Sequence, residues 1–273
     1  MNGTPPPQWT QYANINELLA DLLQGIQRIL DERLIGVYLY GSLVTGDFDM
    51  GASDIDLLAV TASDVDGNEF EQLDRMHMDF ISRNKQWEHR LEIAYLSVDA
   101  LKTYRWRASN IAIMSPGEPF HVKEAGKDWL LNWYIVREKG IALAGPPPKA
   151  LIEPITKEEF IQVLTNHVRE WREWVEHDNT RPWQAYAILT MCRALYTYRN
   201  GEHASKKQSA LWAQGELPEW SSLIGDALKG REAWRDAAVD HGATWPQTLK
   251  FVHFVIDLIV PPPIPRREKL SEK

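Results

Sequence analysis

GVYLYGSLVTGDFDMGASDIDLL, residues 36–58, is the stretch that decides the fold. A strand-like run from Ile35 to Tyr40 is followed by a glycine-rich loop and by a second apolar run that opens with Asp54-Ile55-Asp56. Residues two apart in a strand point to the same face, so Asp54 and Asp56 project together. Two neighbouring carboxylates repel each other unless a cation lies between them, and Mg²⁺ prefers such oxygen ligands. The pattern therefore predicts a magnesium site.

The loop between these two runs has the features of a phosphate site. Gly41 lets the backbone approach a phosphate closely, and Ser42 and the loop amides can donate hydrogen bonds to it. We therefore expect this stretch to hold Mg²⁺ and a nucleoside triphosphate together.

Other interpretations of the same residues need weighing. The aspartates could be turn residues and Gly-Ser an ordinary loop, although turn chemistry does not require both carboxylates on one face. A Walker loop is excluded because Asp47 stands where that motif needs lysine. A calcium hand starting at Asp47 fits poorly, because Gly51 stands at its fifth position.

Composition places the chain among ordinary globular proteins. Of its residues, 44% are hydrophobic and 25% are charged, which is typical of such proteins. Its length of 273 residues favours two domains. Its 38 acidic and 30 basic residues give a net charge of −8, which argues against nucleic-acid binding and favours a cationic small substrate. The single cysteine, Cys192, excludes an internal disulfide and is expected in the core. No apolar run has transmembrane length and the N-terminus has no signal-peptide pattern, so we expect a cytoplasmic protein.

A family resemblance rests on the motif just described. Gly41-Ser42, eleven residues, then Asp54-Ile55-Asp56 resembles the signature of the DNA polymerase β-like nucleotidyltransferases. The longer string LYGSLVTGDFDMGASDIDLLAV resembles the aminoglycoside adenylyltransferases that modify streptomycin and spectinomycin. The resemblance implies an α/β nucleotidyltransferase domain with a mixed sheet, followed by an α-helical domain. With the boundary at the proline run that ends at residue 148, we expect these domains over residues 1–148 and 149–260, and a flexible tail over 261–273.

Glu92 is the third acidic candidate. In the strand RLEIAYL, residues 90–96, Leu91, Ile93 and Tyr95 share one face and Glu92 lies on the other. An acidic residue within an apolar strand is disfavoured unless it is paired or bound to metal. In the family that the chain resembles, a glutamate at this place binds the metal or takes the proton from the attacking hydroxyl. The alternative is an edge-strand glutamate that faces solvent.

The secondary structure of the rest of the chain is predicted from apolar periodicity and from the positions of prolines and glycines. Residues 100–126 are predicted to be irregular, because prolines and a glycine interrupt them, and Pro146–Pro148 is the predicted domain boundary. Capping pairs are expected at Asn14 with Glu17 and at Thr156 with Glu159. Apolar periodicity predicts helices over residues 15–30, 67–83, 127–139, 156–177, 182–199, 206–214, 219–229, 231–240 and 246–260.

The helical half extends the resemblance. LTMCRALYTYRNGEHASKKQSALW is similar to the C-terminal domain of the same adenylyltransferases, in which an arginine and a lysine contact the triphosphate. Arg193 and Lys206 occupy those positions, and Lys206 would lie at a helix N-terminus, which attracts anions. Its alternative is a solvated surface lysine. The nucleotide-binding residues that the resemblance implies are therefore Gly41, Ser42, Ser53, Arg193 and Lys206.

The implied reaction is Mg²⁺-dependent transfer of AMP from ATP to a hydroxyl of an aminoglycoside or aminocyclitol, with release of pyrophosphate. Asp54, Asp56 and Glu92 would be the catalytic and metal-binding residues. We expect a monomer that binds ATP and a cationic small-molecule acceptor, and neither nucleic acid nor a membrane. Two rival functions stay open: adenylylation of a protein or an RNA, and non-catalytic nucleotide binding.

The sequence departs from the resembled family at the drug side. Those enzymes have an acidic residue just before the LT-x-x-R pattern, but Pro182-Trp183-Gln184-Ala185-Tyr186 contains no carboxylate. Glu173, Glu176 and Asp178 lie nearby in the sequence and are possible substitutes. Since the guanidinium groups of streptomycin favour paired carboxylates, we expect spectinomycin to be the better acceptor.

Overall fold

The computed structural model describes residues 7–232 and 241–260. Contacts within the chain divide it into two compact units, with the division in sequence between Val163 and Leu164. The domain boundary that the sequence predicts after Pro148 stays a prediction. The predicted tail over 261–273 and most of the helix predicted over 231–240 lie outside the described residues.

A mixed sheet forms the centre of the first unit, as the sequence predicted. Its six strands are β1 (Leu34–Tyr40), β2 (Ile55–Thr61), β3 (Leu91–Ser97), β4 (Ser109–Met114), β5 (His121–Ala125) and β6 (Ile141–Ala144). They follow the order β5-β4-β3-β2-β1-β6, in which only β2 and β3 run parallel. A parallel pair needs a crossover, and a helix supplies it.

Helices cover both faces of this sheet. The helices before the division are α1 (Ala13–Leu30), α2 (Ser42–Thr45), α3 (Gly67–Arg83), α4 (Val98–Thr103), α5 (Leu130–Lys139) and α6 (Pro148–Leu151). The apolar stripes of α1 and α3 pack against alternate residues of the central strands, such as Leu57 and Ile93. On the other face, α4 and α5 pack against the intervening residues, such as Leu58 and Ala94. The same parity places Asp54, Asp56 and Glu92 toward this second face.

The prediction that residues 100–126 are irregular was wrong. This stretch contains the end of α4 and the two antiparallel strands β4 and β5. Pro116, Gly117 and Pro119 lie in the turn between the strands, and Gly117 has a φ of +81°. The breakers therefore mark a turn, while cross-strand pairing forms the short strands on either side of it.

One of the two predicted capping pairs is confirmed. The Glu159 N–H donates to Thr156 Oγ1 at 3.1 Å, and the Thr156 N–H donates to Glu159 Oε2 at 3.0 Å. The pair at Asn14 was wrong, because α1 begins two residues before its predicted start, after Tyr12, and this residue makes no side-chain capping hydrogen bond. Asn14 therefore lies within the first turn rather than at the cap position.

The second unit is helical throughout its regular elements within residues 164–232 and 241–260. Its helices are α7 (Lys157–Trp174), which begins in the first unit, α8 (Arg181–Asn200), α9 (Lys206–Glu216), α10 (Ser221–Glu232) and α11 (His241–Ile259). The α8 helix is buried at its centre, where Cys192 lies in the core as predicted. No helix in the part of the chain that the structure describes is long and apolar enough to cross a membrane.

Candidate active site

Three side chains form a row across adjacent strands at one end of the sheet. Tyr40 is in register with Asp56, and Asp56 is in register with Glu92. Residues in register on neighbouring strands point to the same face, so these side chains lie side by side. Asp54 precedes β2 by one residue and shares the parity of Asp56. The predicted acidic residues are therefore brought together at one end of the sheet.

Gly41 is required by the close approach of Asp56. It has a φ of +70°, and a Cβ added there would lie 1.7 Å from Asp56 Oδ2. No side chain fits at that distance, and the left-handed backbone itself disfavours any other residue. The turn out of β1 therefore comes against the Asp56 carboxylate, which brings the start of α2 to the acidic row.

Ser42 and Ser53 are positioned differently within the loop. Ser42 is the first residue of α2, and its buried Oγ has no hydrogen-bond partner among the described atoms. A buried hydroxyl without a partner costs free energy, so this donor fits a ligand such as a phosphate oxygen. Ser53 is buried, and its Oγ accepts the Asp49 N–H at 2.9 Å. Ser53 therefore also shapes the loop that leads to Asp54.

Arg90 ties the starts of β2 and β3 together. Its Nε donates to the Ser53 carbonyl at 3.0 Å, and its Nη2 donates to the Met50 carbonyl at 2.9 Å. The guanidinium group also lies 4.6 Å from the ring centroid of Trp87. The sequence analysis missed this role, because nothing in the spacing of an arginine before a strand shows which carbonyls it will reach.

The Glu92 carboxylate receives a hydrogen bond from a tyrosine. Tyr40 Oη donates to Glu92 Oε1 at 2.7 Å. Burial raises the pKa of Glu92 and the charge of Asp54 adds to this rise, while the Tyr40 hydroxyl and the charge of Lys123 oppose it. The net direction is upward, which makes Glu92 a stronger base than a solvated glutamate.

Tyr40 itself stays protonated. Its pKa is raised well above the ordinary value of tyrosine, first by burial and then by the charges of Glu92 and Asp56. Its hydroxyl is therefore a fixed donor to Glu92 at neutral pH.

The aspartate pair offers ligands that suit a hard cation such as Mg²⁺. Asp54 and Asp56 offer carboxylate oxygens from one face, the donor set that Mg²⁺ favours. Within residues 7–232 and 241–260, however, no three His, Cys, Asp or Glu side chains are grouped so that they could hold a metal ion. Mg²⁺ keeps several waters and binds through one or two carboxylates plus substrate phosphates, so two aspartates suffice. A third-ligand role for Glu92 stays a prediction.

The predicted cations belong to the second unit. Arg193 is half-buried in α8. Lys206 is the first residue of α9, as predicted, and directly follows Ser205, whose side chain forms a capping box with Gln208. Lys206 Nζ lies 4.3 Å from the ring centroid of Tyr186. A cation over an aromatic face is held electrostatically, so this contact orients the lysine at the helix start.

The segment that lacks a carboxylate carries aromatic residues in its place. Trp183 stacks on Trp171 with ring centroids 5.6 Å apart and on Tyr186 with centroids 5.7 Å apart. Tyr186 is 43% exposed. Trp106 lies just before the first residue of β4. The last residue of β4 is the one that pairs next to Glu92, so Trp106 is near the opposite end of that strand. The strand register therefore separates Trp106 from the acidic row.

Comparisons with known proteins agree with the division into a sheet and a helical region. Residues 21–124 match the sequence model of the nucleotidyltransferase domain. Residues 150–257 match the model of the aminoglycoside adenylyltransferase C-terminal domain. The two matches follow each other along the chain in the order that the sequence analysis expected.

Relatives of similar length match most of this chain. The aminoglycoside (3'') (9) adenylyltransferase of Escherichia coli is 25% identical over 260 residues, covering 89% of this chain and 94% of that protein. The enzyme of the same name from Klebsiella pneumoniae is 24% identical over 259 residues, with coverages of 89% and 94%. A solved structure of spectinomycin adenyltransferase AAD(9) from Enterococcus faecialis, with ATP and spectinomycin, has a TM-score of 0.70 at 16% identity. It covers 89% of this chain and 98% of that chain, and it shows the same fold.

Proposed function

We propose that this chain, which belongs to the family of aminoglycoside adenylyltransferases, transfers AMP from ATP to a hydroxyl of an aminoglycoside or aminocyclitol antibiotic and releases pyrophosphate. The observation that carries the proposal is the row of Tyr40, Asp56 and Glu92 on adjacent strands, beside Asp54. It combines a carboxylate pair suited to a cation with a glutamate of raised pKa.

The acidic residues divide the chemistry between them. Asp54 and Asp56 would hold Mg²⁺, which when bound would stabilise the attacking and leaving oxygens. Glu92 would accept the proton of the acceptor hydroxyl as that oxygen attacks the α-phosphorus of ATP and the bond to pyrophosphate breaks. The raised pKa of Glu92 favours this role, because a stronger base accepts the proton more readily.

Five residues are proposed to bind the nucleotide. Gly41 gives the phosphates access to the backbone, and Ser42 offers the buried hydroxyl that has no partner among the described residues. Ser53 would keep the loop before Asp54 in place. Arg193 and Lys206 would neutralise charge on the triphosphate, for which Lys206 is suited by its place at the start of α9.

The acceptor that we favour is spectinomycin. The segment before the LT-x-x-R pattern presents Trp183 and Tyr186 rather than a carboxylate. The lack of a carboxylate should affect streptomycin most, because its guanidinium groups favour bidentate carboxylates, whereas spectinomycin carries only two secondary amines.

Transfer of label from ATP tests the activity and the acceptor together. The purified protein would be incubated with Mg²⁺, ATP labelled at the α-phosphate, and a panel that includes spectinomycin and streptomycin. We expect a labelled drug adduct and stoichiometric pyrophosphate, with a higher kcat/KM for spectinomycin. Labelling of streptomycin alone would contradict the proposed preference. Labelling of no drug in the panel, with label on a protein or an RNA from an extract, would favour the rival function.

A further inference from the structure

Tyr40 makes a contact that the proposed reaction does not by itself require. Its side chain is only 4% exposed and lies in the apolar cluster on the second face of the sheet. Its hydroxyl nevertheless leaves that cluster to donate to Glu92 Oε1 at 2.7 Å. Tyr40 is the last residue of β1 and is in register with Asp56 of the acidic row.

The strand register explains why tyrosine is suited to this place. Glu92 lies two strands away from Tyr40, with Asp56 in register between them. Neighbouring strands are about 4.8 Å apart, so the two backbones are separated by roughly 10 Å. A long, rigid side chain with a terminal donor is needed to reach the glutamate across the intervening strand, and tyrosine provides both features.

Without the hydrogen bond from Tyr40, repulsion by the neighbouring carboxylates would favour a different rotamer of Glu92. Asp54 and Asp56 project from the same face as Glu92, and Asp56 is in register with it on the neighbouring strand. Carboxylates close together repel each other in a partly buried site, and a glutamate has several rotamers into which it can turn away. A short hydrogen bond from a neutral donor holds the carboxylate in place without adding charge.

We propose that Tyr40 is a positioning residue that fixes the Glu92 carboxylate, an inference that rests on the proposed role of Glu92 as the base. The Tyr40 hydroxyl keeps its own proton and occupies Oε1. The other carboxylate oxygen, Oε2, is then left to take the proton of the acceptor hydroxyl as the new oxygen–phosphorus bond forms and pyrophosphate leaves. Tyr40 touches no reacting atom in this scheme, and its effect passes through Glu92.

Tyr38 provides a matched control on the same strand. It lies two residues before Tyr40, on the same face, and is 1% exposed. Its hydroxyl donates to the Pro146 carbonyl at 2.9 Å. Tyr38→Phe and Tyr40→Phe therefore each remove one buried, hydrogen-bonded hydroxyl from β1, but only Tyr40→Phe alters the environment of Glu92.

The kinetic test compares these two variants in AMP transfer from ATP to spectinomycin. We expect Tyr40→Phe to lower kcat by about 10- to 100-fold, the scale of one hydrogen bond to a charged group, and to leave the KM for ATP unchanged. Tyr38→Phe should retain the wild-type kcat. Equal kcat values for the two variants, or a loss that appears only in the melting temperature, would overturn the proposal.

A double variant shows whether Tyr40 acts through Glu92. Glu92→Gln should itself lower kcat by about 10² to 10⁴-fold, the contribution of a general base. Adding Tyr40→Phe to Glu92→Gln should cause no further loss, because residues that act as a unit are not additive. Multiplicative losses would show that Tyr40 acts independently and would refute the inference. Near-normal turnover of Glu92→Gln alone would instead refute the role of Glu92 in the proposed function.

Crystal structures of the same variants give a readout that needs no acceptor. In Tyr40→Phe, the Glu92 carboxylate should move to another rotamer or spread over several, while in Tyr38→Phe it should keep its place. If Glu92 is unchanged in Tyr40→Phe, the inference fails even where AMP transfer is confirmed. If no drug is adenylylated, the proposed function fails, and the structures still decide whether Tyr40 positions Glu92.

Discussion

The two units of this chain present their functional side chains in different ways. In the first unit, acidic residues lie on neighbouring strands, where alternation along each strand and register between strands fix which side chains meet. In the second unit, Arg193 and Lys206 lie on different helices, and packing decides what surrounds them. A site built on strands is therefore rigid in direction, whereas a site built on helix ends depends on neighbours such as Tyr186.

The largest effect that we predict tests the site of the first unit. Asp54→Asn or Asp56→Asn should lower kcat by at least about 10³-fold, because each change removes a charged ligand from the cation site. Asp64→Asn removes an exposed carboxylate from the loop after β2 and should have wild-type activity. Steady-state kinetics at saturating Mg²⁺ checks this, and near-normal turnover of either active-site variant would contradict the assignment.

The next effect compares the two glycines of the loop that have positive φ values. Gly41 (φ +70°, ψ −146°) has a backbone conformation that other residues rarely adopt, and a Cβ there would also meet Asp56. Gly46 (φ +77°, ψ +21°) has the milder left-handed helical conformation, and a Cβ there would meet nothing within 4 Å. Gly46→Ala should therefore cost about 1–2 kcal/mol of stability, the cost of the left-handed backbone alone.

Gly41→Ala should cost clearly more than Gly46→Ala and should also weaken ATP binding, because the new Cβ would displace Asp56. Urea denaturation and calorimetric titration of ATP measure the two quantities. Equal stability losses would show that the loop yields at Gly41 without disturbing the acidic row.

A smaller effect is expected from the cations of the second unit. Lys206→Met should raise the KM for ATP by about tenfold with little change in kcat, because it removes a charge that acts on the triphosphate without touching the reacting centre. Lys207→Met changes the next residue, which is exposed, and should leave KM unchanged. If both variants bind ATP as the wild type does, the nucleotide is held by the first unit alone.

The smallest effect concerns the pH dependence of stability in the first unit. His77 is buried, its Nε2 lies 2.8 Å from Tyr95 Oη, and burial lowers its pKa to about 3. The unfolded chain binds a proton at this histidine below about pH 6.5, whereas the folded chain does not, so stability falls as the pH decreases below that value. At pH 6, this difference in proton binding lowers the free energy of unfolding by about 0.8 kcal/mol, and the loss grows as the pH falls toward the pKa of the folded state.

The His77→Phe variant isolates this contribution. It should be less stable than the wild type at pH 8, because Tyr95 loses its partner, but the difference should shrink between pH 7 and pH 5. Urea denaturation of both proteins across this range gives the comparison. A difference that stays constant with pH would mean that folding leaves the pKa of His77 unchanged.

Sequence reasoning reached most of the first unit's site and less of its surroundings. The pair Asp54 and Asp56 and the face of Glu92 follow from alternation along a strand, which holds wherever a strand forms. The strands β4 and β5 were missed, because short strands are stabilised by pairing with each other rather than by their own sequence. The capping pair at Asn14 was wrong because α1 begins two residues before its predicted start, where Asn16 makes side-chain hydrogen bonds to the backbone that precedes the helix.

The sequence by itself predicted the mixed α/β class, the helical second half, the resemblance to the aminoglycoside adenylyltransferases and the acidic residues of the candidate site. These depend on local periods and on a motif of fixed spacing, which are properties of the chain alone. The tertiary structure alone decided that Tyr40 reaches Glu92, that Arg90 joins the starts of two strands, and that Gly41 faces the Asp56 carboxylate. Each of these contacts joins residues whose separation in sequence fixes no distance, so only the strand register and the packing of side chains could bring them together.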